Sequence, residues 1–279
     1  MRKYLMGLIQ LDTQSDKCSN MKQICEFIDE AAAKGAKLVA FPEVMNYMGK
    51  NTKEGGGTEL IPGGYTTKIL MKKAKEHDIY IHCGSFYERT PGERKKYNTS
   101  VMLNNKGEII AKYRKLHLFD AILQDGQIIN ESIRIEPGVD IVNVNTEIGN
   151  LGFTICYDIR FPELFRLLVL NGAQIIFTPA NFTVPTGMDH WETILRTRAI
   201  ENGCYIIAPA QVGKKYYGHS SFGNSMVVDP WGNVIAKAKD QPCVTMVEID
   251  LDYLDKIRQM MPSLKNRRAD VYDLKIKKE

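Results

Sequence analysis

Three apolar runs in this chain each end in a side chain that could do chemistry: Phe41-Pro42-Glu43, Tyr113-Arg114-Lys115 and Ile155-Cys156-Tyr157. In α/β sheets, ligands collect beyond the carboxyl ends of strands. A thiol needs a base to become a thiolate, and a carboxylate in a partly dry pocket can serve. The same acid can then protonate a leaving amine. A lysine ammonium can hold a tetrahedral oxyanion, helped by a backbone N–H beside the nucleophile. Glu43, Lys115 and Cys156 brought together therefore make an acyl-transfer set. Each alone has an ordinary reading. A glutamate after proline is usually a solvated turn residue, a lysine at a strand end usually points to water, and a lone cysteine often closes a core strand.

Cys156 lies in LGFTICYDIRFPELFR, residues 151–166. Leu151–Ile155 reads as a strand, Tyr157-Asp158-Ile159-Arg160 as a turn, and Phe161-Pro162-Glu163-Leu164 as the start of a helix. Proline suits a helix's first turn, and Glu163 suits the positive end of its dipole. Backbone N–H groups then lie close to the thiol. Arg160 stands four residues past Cys156, where it could hold a substrate carboxylate in a bidentate pair. It would equally serve as a cap or an ion pair at the sheet edge.

The elements that must position these residues follow from periodicity. Tyr4–Gln10 reads as a strand. Met21, Ile24, Cys25, Ile28, Ala31 and Ala32 recur at helical spacing, with Ser19 or Asn20 as N-cap and Gly35 as stop. Leu38–Phe41 is a short strand, and Gly55–Gly57 with Pro62-Gly63-Gly64 marks a long loop after Glu43. Tyr65–His77 reads as a helix and Ile79–Phe86 as a strand. Val101–Leu103 and Glu108–Tyr113 make a hairpin about Asn104-Asn105-Lys106-Gly107. A long loop carrying Glu131 runs from Leu118 to near Asp140. Strands at Ile141–Val144, Leu151–Ile155 and Ile175–Thr178 follow, with a helix at Pro162–Asn171. Asn181–Asp189 reads as a loop, His190–Asn202 as a helix and Tyr205–Val212 as a strand. Ser225–Val228 and Val234–Ala238 flank a turn, Val244–Ile249 is the last strand, and Leu251–Met261 is a helix before a polar tail. Strand and helix alternate with hairpins between them, which predicts an α/β layered fold with mixed sheets in one domain over 1–279.

Composition narrows the classes. An apolar content of 44% and a charged content of 25% over 279 residues are those of an ordinary globular protein with a sizeable core. The net charge of +4 is small and its cations are scattered, so no nucleic-acid footprint is present. The six cysteines show no CxxC and no zinc spacing, and Cys25, Cys83, Cys204 and Cys243 read as core thiols of a reducing, cytoplasmic setting. The apolar run in MRKYLMGLIQLD is interrupted by Gln10 and Asp12, so it reads as a core strand rather than a signal peptide. No run approaches the ~18 apolar residues of a membrane span. Gly218-His219-Ser220-Ser221-Phe222 lacks the closing glycine of a serine-hydrolase elbow. Gly55-Gly56-Gly57 lacks the Lys-Ser/Thr of a phosphate loop. His117, His190 and His219 read as core or surface histidines.

Taken together, LVAFPE (38–43), KYRKLHLFD (112–120), ESIRIEPG (131–138), CYDIRFPEL (156–164), HWETILRTRAIEN (190–202) and GHSSFGNSMVVDPWG (218–232) resemble the nitrilase superfamily of carbon–nitrogen hydrolases. The resemblance covers nearly the whole chain. It implies an α-β-β-α sandwich that assembles as a homodimer or larger homo-oligomer, with no metal or organic cofactor. It implies Glu43 as general base, Cys156 as nucleophile, and Lys115 with the Tyr157 N–H as oxyanion holders. Glu131 matches a second glutamate that orients Lys115. True nitrilases typically show Cys-Trp-Glu, whereas here Cys156-Tyr157-Asp158 favours amides over nitriles. The chain is most similar to the Nit branch, which contains ω-amidase and deaminated-glutathione amidase and acts on amides bearing a 2-oxo carboxylate. In that branch Arg160, Phe182 and Thr186 match residues suited to hold the carboxylate. Phe182 and Thr186 read by themselves as a core aromatic and a turn hydroxyl. The segment Ala121-Ile122-Leu123-Gln124-Asp125 departs from the Nit pattern, which leaves an N-carbamoyl amidohydrolase or an aliphatic amidase as rival enzymes. A catalytically idle scaffold is the rival outside enzymology.

Overall fold

Alternation along the first strand, Lys3–Gln10 (β1), sets the layering. Tyr4, Met6 and Leu8 are buried in a cluster shared with a second sheet, while Ile9 is buried with Ile24, Ile28 and Ala31 of a helix. Between them Gly7 lets that helix approach, because a Cβ there would lie 2.9 Å from the Ala31 Cβ. This computed structural model describes residues 1–50, 57–122, 126, 128–216 and 218–276. Gly55 and Gly56 of the loop after Glu43, Leu123-Gln124-Asp125, and Lys277 and Lys278 of the tail lie outside the described residues.

The first sheet takes β1, β2 (Leu38–Ala40), β3 (Thr58–Glu59), β4 (Tyr80–His82), β5 (Phe86–Glu88), β6 (Tyr97–Leu103) and β7 (Ile109–Arg114). A small hairpin of β8 (Asp120–Ile122) and β9 (Ile128–Asn130) follows. The second sheet holds β10 (Asn143–Thr146), β11 (Gly149–Phe153), β12 (Ile175–Phe177) and β13 (Tyr205–Ala208). After a hairpin of β14 (Val212–Lys214) and β15 (Ser220–Phe222), β16 (Met226–Val228) and β17 (Val234–Lys237) complete it. The last strand, β18 (Cys243–Asp250), returns to pair with β1. Among the described residues the strand orders are β18-β1-β2-β4-β6-β5-β3, with β7 beside β6, and β10-β11-β12-β13-β16-β17. Both sheets mix parallel and antiparallel pairs, as in β1·β2 against β1·β18 and β11·β12 against β13·β16. The ring of His82 on β4 stacks on Phe177 of β12 with centroids 4.2 Å apart, which joins the sheets face to face.

Helices α1 (Lys17–Ala33) and α2 (Tyr65–His77) cover the first sheet. Helix α3 (Pro162–Leu170), the single turn α4 (Val184–Thr186) and α5 (Glu192–Asn202) belong to the second half, and α6 (Leu251–Met260) ends the fold. Leu168 of α3 and Leu195 and Ala199 of α5 are buried against the second sheet, completing the α-β-β-α sandwich.

Several local expectations change. The cap of α1 is Asp16, which accepts from the Cys18 and Ser19 N–H groups, not Ser19 or Asn20. Asn20 instead turns inward and donates to the Gln14 and Asn46 carbonyls. The predicted loop from Leu118 to Asp140 contains the β8–β9 hairpin and a 3₁₀ turn, Glu131–Ile133. The predicted loop at Asn181–Asp189 contains α4 and the start of a π turn, Gly187–Trp191. The predicted strand Ile79–Phe86 breaks at Cys83–Ser85 between β4 and β5. There Gly84 has φ +54°, and a Cβ on it would lie 2.0 Å from the Pro42 carbonyl oxygen. Ser85 accepts the Met45 N–H and its hydroxyl accepts the Val44 N–H, so this break cradles the segment that carries Glu43.

Gly84→Ala is therefore expected to destabilise the protein by at least about 2 kcal/mol, from left-handed backbone strain plus the clash. Chemical denaturation would read this as a lower midpoint, and an unchanged midpoint would show the cradle to be loose.

Candidate active site

Three strand ends from two sheets converge. Glu43 follows β2, Lys115 follows β7 and Cys156 follows β11. Neighbouring chain ends hold each one in place. The Glu43 carbonyl accepts from Gln211 Nε2 at 2.9 Å, and the Lys115 N–H donates to the Asn98 carbonyl at 2.9 Å. The Cys156 N–H donates to the Pro179 carbonyl at 2.9 Å. Cys156 opens a 3₁₀ turn, Cys156–Arg160, with φ +48°, an unfavourable conformation for a residue with a Cβ. Helix α3 begins only at Pro162, with Glu163 in its first turn.

The side chains meet. Lys115 Nζ donates to Glu43 Oε1 at 3.1 Å and to Glu131 Oε2 at 2.8 Å. Asn98 Nδ2 donates to Glu43 Oε1 at 2.9 Å, and the Phe119 N–H donates to Glu131 Oε2 at 2.7 Å. The Cys156 thiol lies within the influence of the Glu43 and Lys115 charges and of the Asn181 backbone. Glu43, Lys115 and Cys156 are all buried.

Burial works against charge on Lys115, but Glu43, Glu131 and Cys156 outweigh it and hold the ammonium well above its ordinary range. Burial and the Glu43 charge push the Cys156 thiol up, against Lys115 and the Asn181 backbone. The resting site thus pairs a thiol with a neighbouring carboxylate, and the lysine stays charged. That arrangement suits attack coupled to proton transfer rather than a preformed thiolate.

These groups open into a cavity of about 590 Å³, well within the range of small-molecule sites. Its lining includes Glu43, Lys115, Glu131, Cys156, Lys96 and Arg134. Burial and the nearby Arg134 push the Lys96 ammonium down to about 8, and its Nζ lies 3.5 Å from the centre of the Tyr87 ring. Among the described residues, no group of three or more His, Cys, Asp or Glu is arranged to hold a metal.

Tyr157, Arg160, Phe182 and Thr186 are absent from that lining. The Tyr157 ring packs on Phe119, with centroids 4.9 Å apart. Arg160 lies 3.2 Å from His190 Nδ1 and 5.7 Å from the centre of the Phe182 ring. Phe182 is buried against Trp191, and the Thr186 hydroxyl bonds that of Thr183 at 3.0 Å. Arg160 and Phe182 thus meet each other, while Thr183 reaches the cavity. Sequence reasoning missed Asn98, Lys96 and Arg134. The polar run Tyr97-Asn98-Thr99-Ser100 opposite Lys115 was the available signal for the first, and the two cations carried none.

The sandwich fold and the match of residues 5–259 to the family described as Carbon-nitrogen hydrolase define the class, an enzyme acting on amides. The chain belongs to that family, and within the nitrilase superfamily to its Nit branch. It is 40% identical over 270 residues to a deaminated glutathione amidase of Synechocystis, covering 96% of this chain and 99% of that protein. It is 38% identical over 280 residues to human omega-amidase NIT2, covering 100% of each. The fold matches the Caenorhabditis elegans NitFhit protein with a TM-score of 0.92 at 34% identity, over 100% of this chain and 68% of that one. It matches Saccharomyces cerevisiae Nit3, a member of branch 10 of the nitrilase superfamily, with a TM-score of 0.85 at 30% identity, over 96% and 97% of the two chains.

Because the Glu43 charge raises the Cys156 thiol, Glu43→Gln should lower the pH midpoint for alkylation of Cys156 by iodoacetamide. If Glu43 is the general base, the same substitution should reduce amide turnover by about 10²–10⁴-fold. Site-resolved mass spectrometry would check the first arm, and a midpoint that stays or rises would show that the two groups are not coupled.

Proposed function

We propose that this protein hydrolyses the amide of a small 2-oxo carboxylate through a Cys156 thioester. The observation carrying the reading is the buried Lys115 ammonium between two carboxylates, in one cavity with the buried Cys156 thiol. Glu43 takes the thiol proton as the sulfur attacks the amide carbon. Lys115 and the Tyr157 N–H hold the oxyanion, and Glu131 keeps Lys115 in place. The C–N bond breaks as Glu43 passes its proton to the nitrogen, and ammonia leaves. Water then gives a proton to Glu43 and attacks the thioester. The C–S bond breaks, the acid departs and the thiol is restored.

The named activities of the relatives support a 2-oxo acid amide as substrate. A cationic cavity supports a charged acyl group over the neutral amide of an aliphatic amidase. In this reading Arg160 holds the carboxylate, with Phe182 and Thr186 beside it. A second reading gives that role to Lys96 and Arg134, and their place in the cavity wall favours it. Self-association and a cytoplasmic setting belong to the same proposal. Exposed Ile200, Trp231 and Met260 support the first, and six free cysteines the second.

Cys156→Ala should lower turnover by at least about a thousandfold while leaving the circular dichroism spectrum and unfolding midpoint near wild type. Ammonia release from 2-oxoglutaramate, 2-oxosuccinamate, N-carbamoyl amino acids and aliphatic amides would establish the substrate class, and turnover surviving the substitution would remove Cys156 from its role. If Arg160 binds the carboxylate, Arg160→Ala should raise KM about tenfold or more for carboxylated amides and leave neutral amides unchanged. The same selective change in Arg134→Ala, with Arg160→Ala unaffected, would assign the carboxylate to the cavity wall.

A further inference from the structure

Asp158 is fully buried two residues past Cys156, and the proposed reaction cycle gives it no task. It accepts four hydrogen bonds from three chain positions. Its Oδ2 accepts from the Tyr113 hydroxyl at 2.6 Å and from the Ile155 N–H at 2.8 Å. Its Oδ1 accepts the His117 N–H at 3.0 Å and lies 2.8 Å from His117 Nδ1. Tyr113 and His117 stand two residues before and two residues after Lys115. Ile155 immediately precedes Cys156. One carboxylate therefore grips the chain on both sides of the lysine and the backbone next to the sulfur.

Capping the 3₁₀ turn needs only the Ile155 N–H. The other three contacts come from the end of β7 and the segment that leaves it, in the opposite sheet. Asp158 thus spans the gap between the sheets at the point where the lysine and cysteine must meet. The His117 ring, held by Asp158, also stacks on Phe161 with centroids 3.6 Å apart, which adds a second contact between the same two segments. Tyr113 reinforces the clamp because its hydroxyl also accepts the Leu116 N–H, at 3.3 Å.

We infer that Asp158 is a positioning residue that sets the separation of Lys115 and Cys156 by locking the β7 end to the cysteine turn. The inference rests on the reading that Lys115 and Cys156 act together. It adds a residue whose loss should be felt through Lys115 rather than by contact with substrate. Each carboxylate oxygen faces two donors, one of them a backbone N–H. An amide at this position must therefore turn its own NH₂ toward an N–H in either orientation. Asp158→Asn loosens the clamp with almost no change of volume.

The test combines Asp158→Asn with Tyr113→Phe, at a temperature where circular dichroism shows each variant folded. The expected result for Asp158→Asn is a fall in kcat of up to about 10²-fold with KM within about threefold, as befits a misplaced catalytic group. The pH midpoint for Cys156 alkylation should also move up, because Lys115 favours the thiolate and would sit farther away. Tyr113→Phe should move both readouts in the same direction by less. A purely structural role would lower the unfolding midpoint and leave both readouts of the folded enzyme unchanged, which would overturn the inference. If Asp158→Asn does not fold, Tyr113→Phe decides: wild-type kcat and a wild-type alkylation profile would again overturn it. Alkylation needs no substrate. Failure of wild-type protein to cleave any amide would therefore count against the proposed function, while the clamp would still be judged by the midpoint.

Discussion

An ammonium buried between two carboxylates is the interaction on which the site depends. Lys115 has 2% of its side chain exposed, and it bonds Glu43 and Glu131 at 3.1 and 2.8 Å. Burying an ion is expensive unless it is paired, and removing one partner from such a group costs about 3–5 kcal/mol. Two carboxylates around one ammonium leave a net negative charge. Burial, together with the Glu43 charge, holds the neighbouring thiol well above its ordinary range, with a carboxylate at hand to take its proton. The members of the cluster are therefore costly to separate.

Holding them together is a task for backbone conformation as much as for side chains. Glu43 precedes Val44 with φ +52°, Cys156 has φ +48°, and Gly84 with φ +54° packs on the Pro42 carbonyl. Left-handed backbone at non-glycine positions is unfavourable and persists where surrounding contacts over-determine it. Those contacts are visible here. Ser85 brackets Val44 and Met45, while the Pro179 carbonyl anchors the Cys156 N–H. Asp158 then ties the cysteine turn to the lysine segment across the two sheets.

Machinery and recognition come from different parts of the chain. The groups proposed to react sit at strand ends, which the sheets fix rigidly. The wall around them comes from connecting segments such as the β8–β9 hairpin and the turn that carries Glu131 and Arg134. Connecting segments can change without disturbing the sheets, so substrate preference can vary while the chemistry is kept. Lys96 and Arg134 mark the anionic character that this wall would accept.

Local chemistry made much of this legible in the chain itself. Helical spacing located α2 at Tyr65–His77, and apolar runs that end in a reactive residue singled out Glu43, Lys115 and Cys156. Those signals depend on neighbours within a few residues, which is why they survive in a linear reading. Pairing between distant segments does not. A bulge at Met102/Leu103 shifts the β6–β7 register, so counting back from the hairpin turn would not place Asn98 opposite Lys115. The break at Gly84 answers to the carbonyl of Pro42, far away in the chain, and α1 is capped by Asp16 while Asn20 is drawn into a distant contact. Residue types and periodicity determined which groups could react and on which elements they ride. Sheet register and the packing of one sheet on the other decided which groups touch, because contacts between remote segments exist only after the chain has folded.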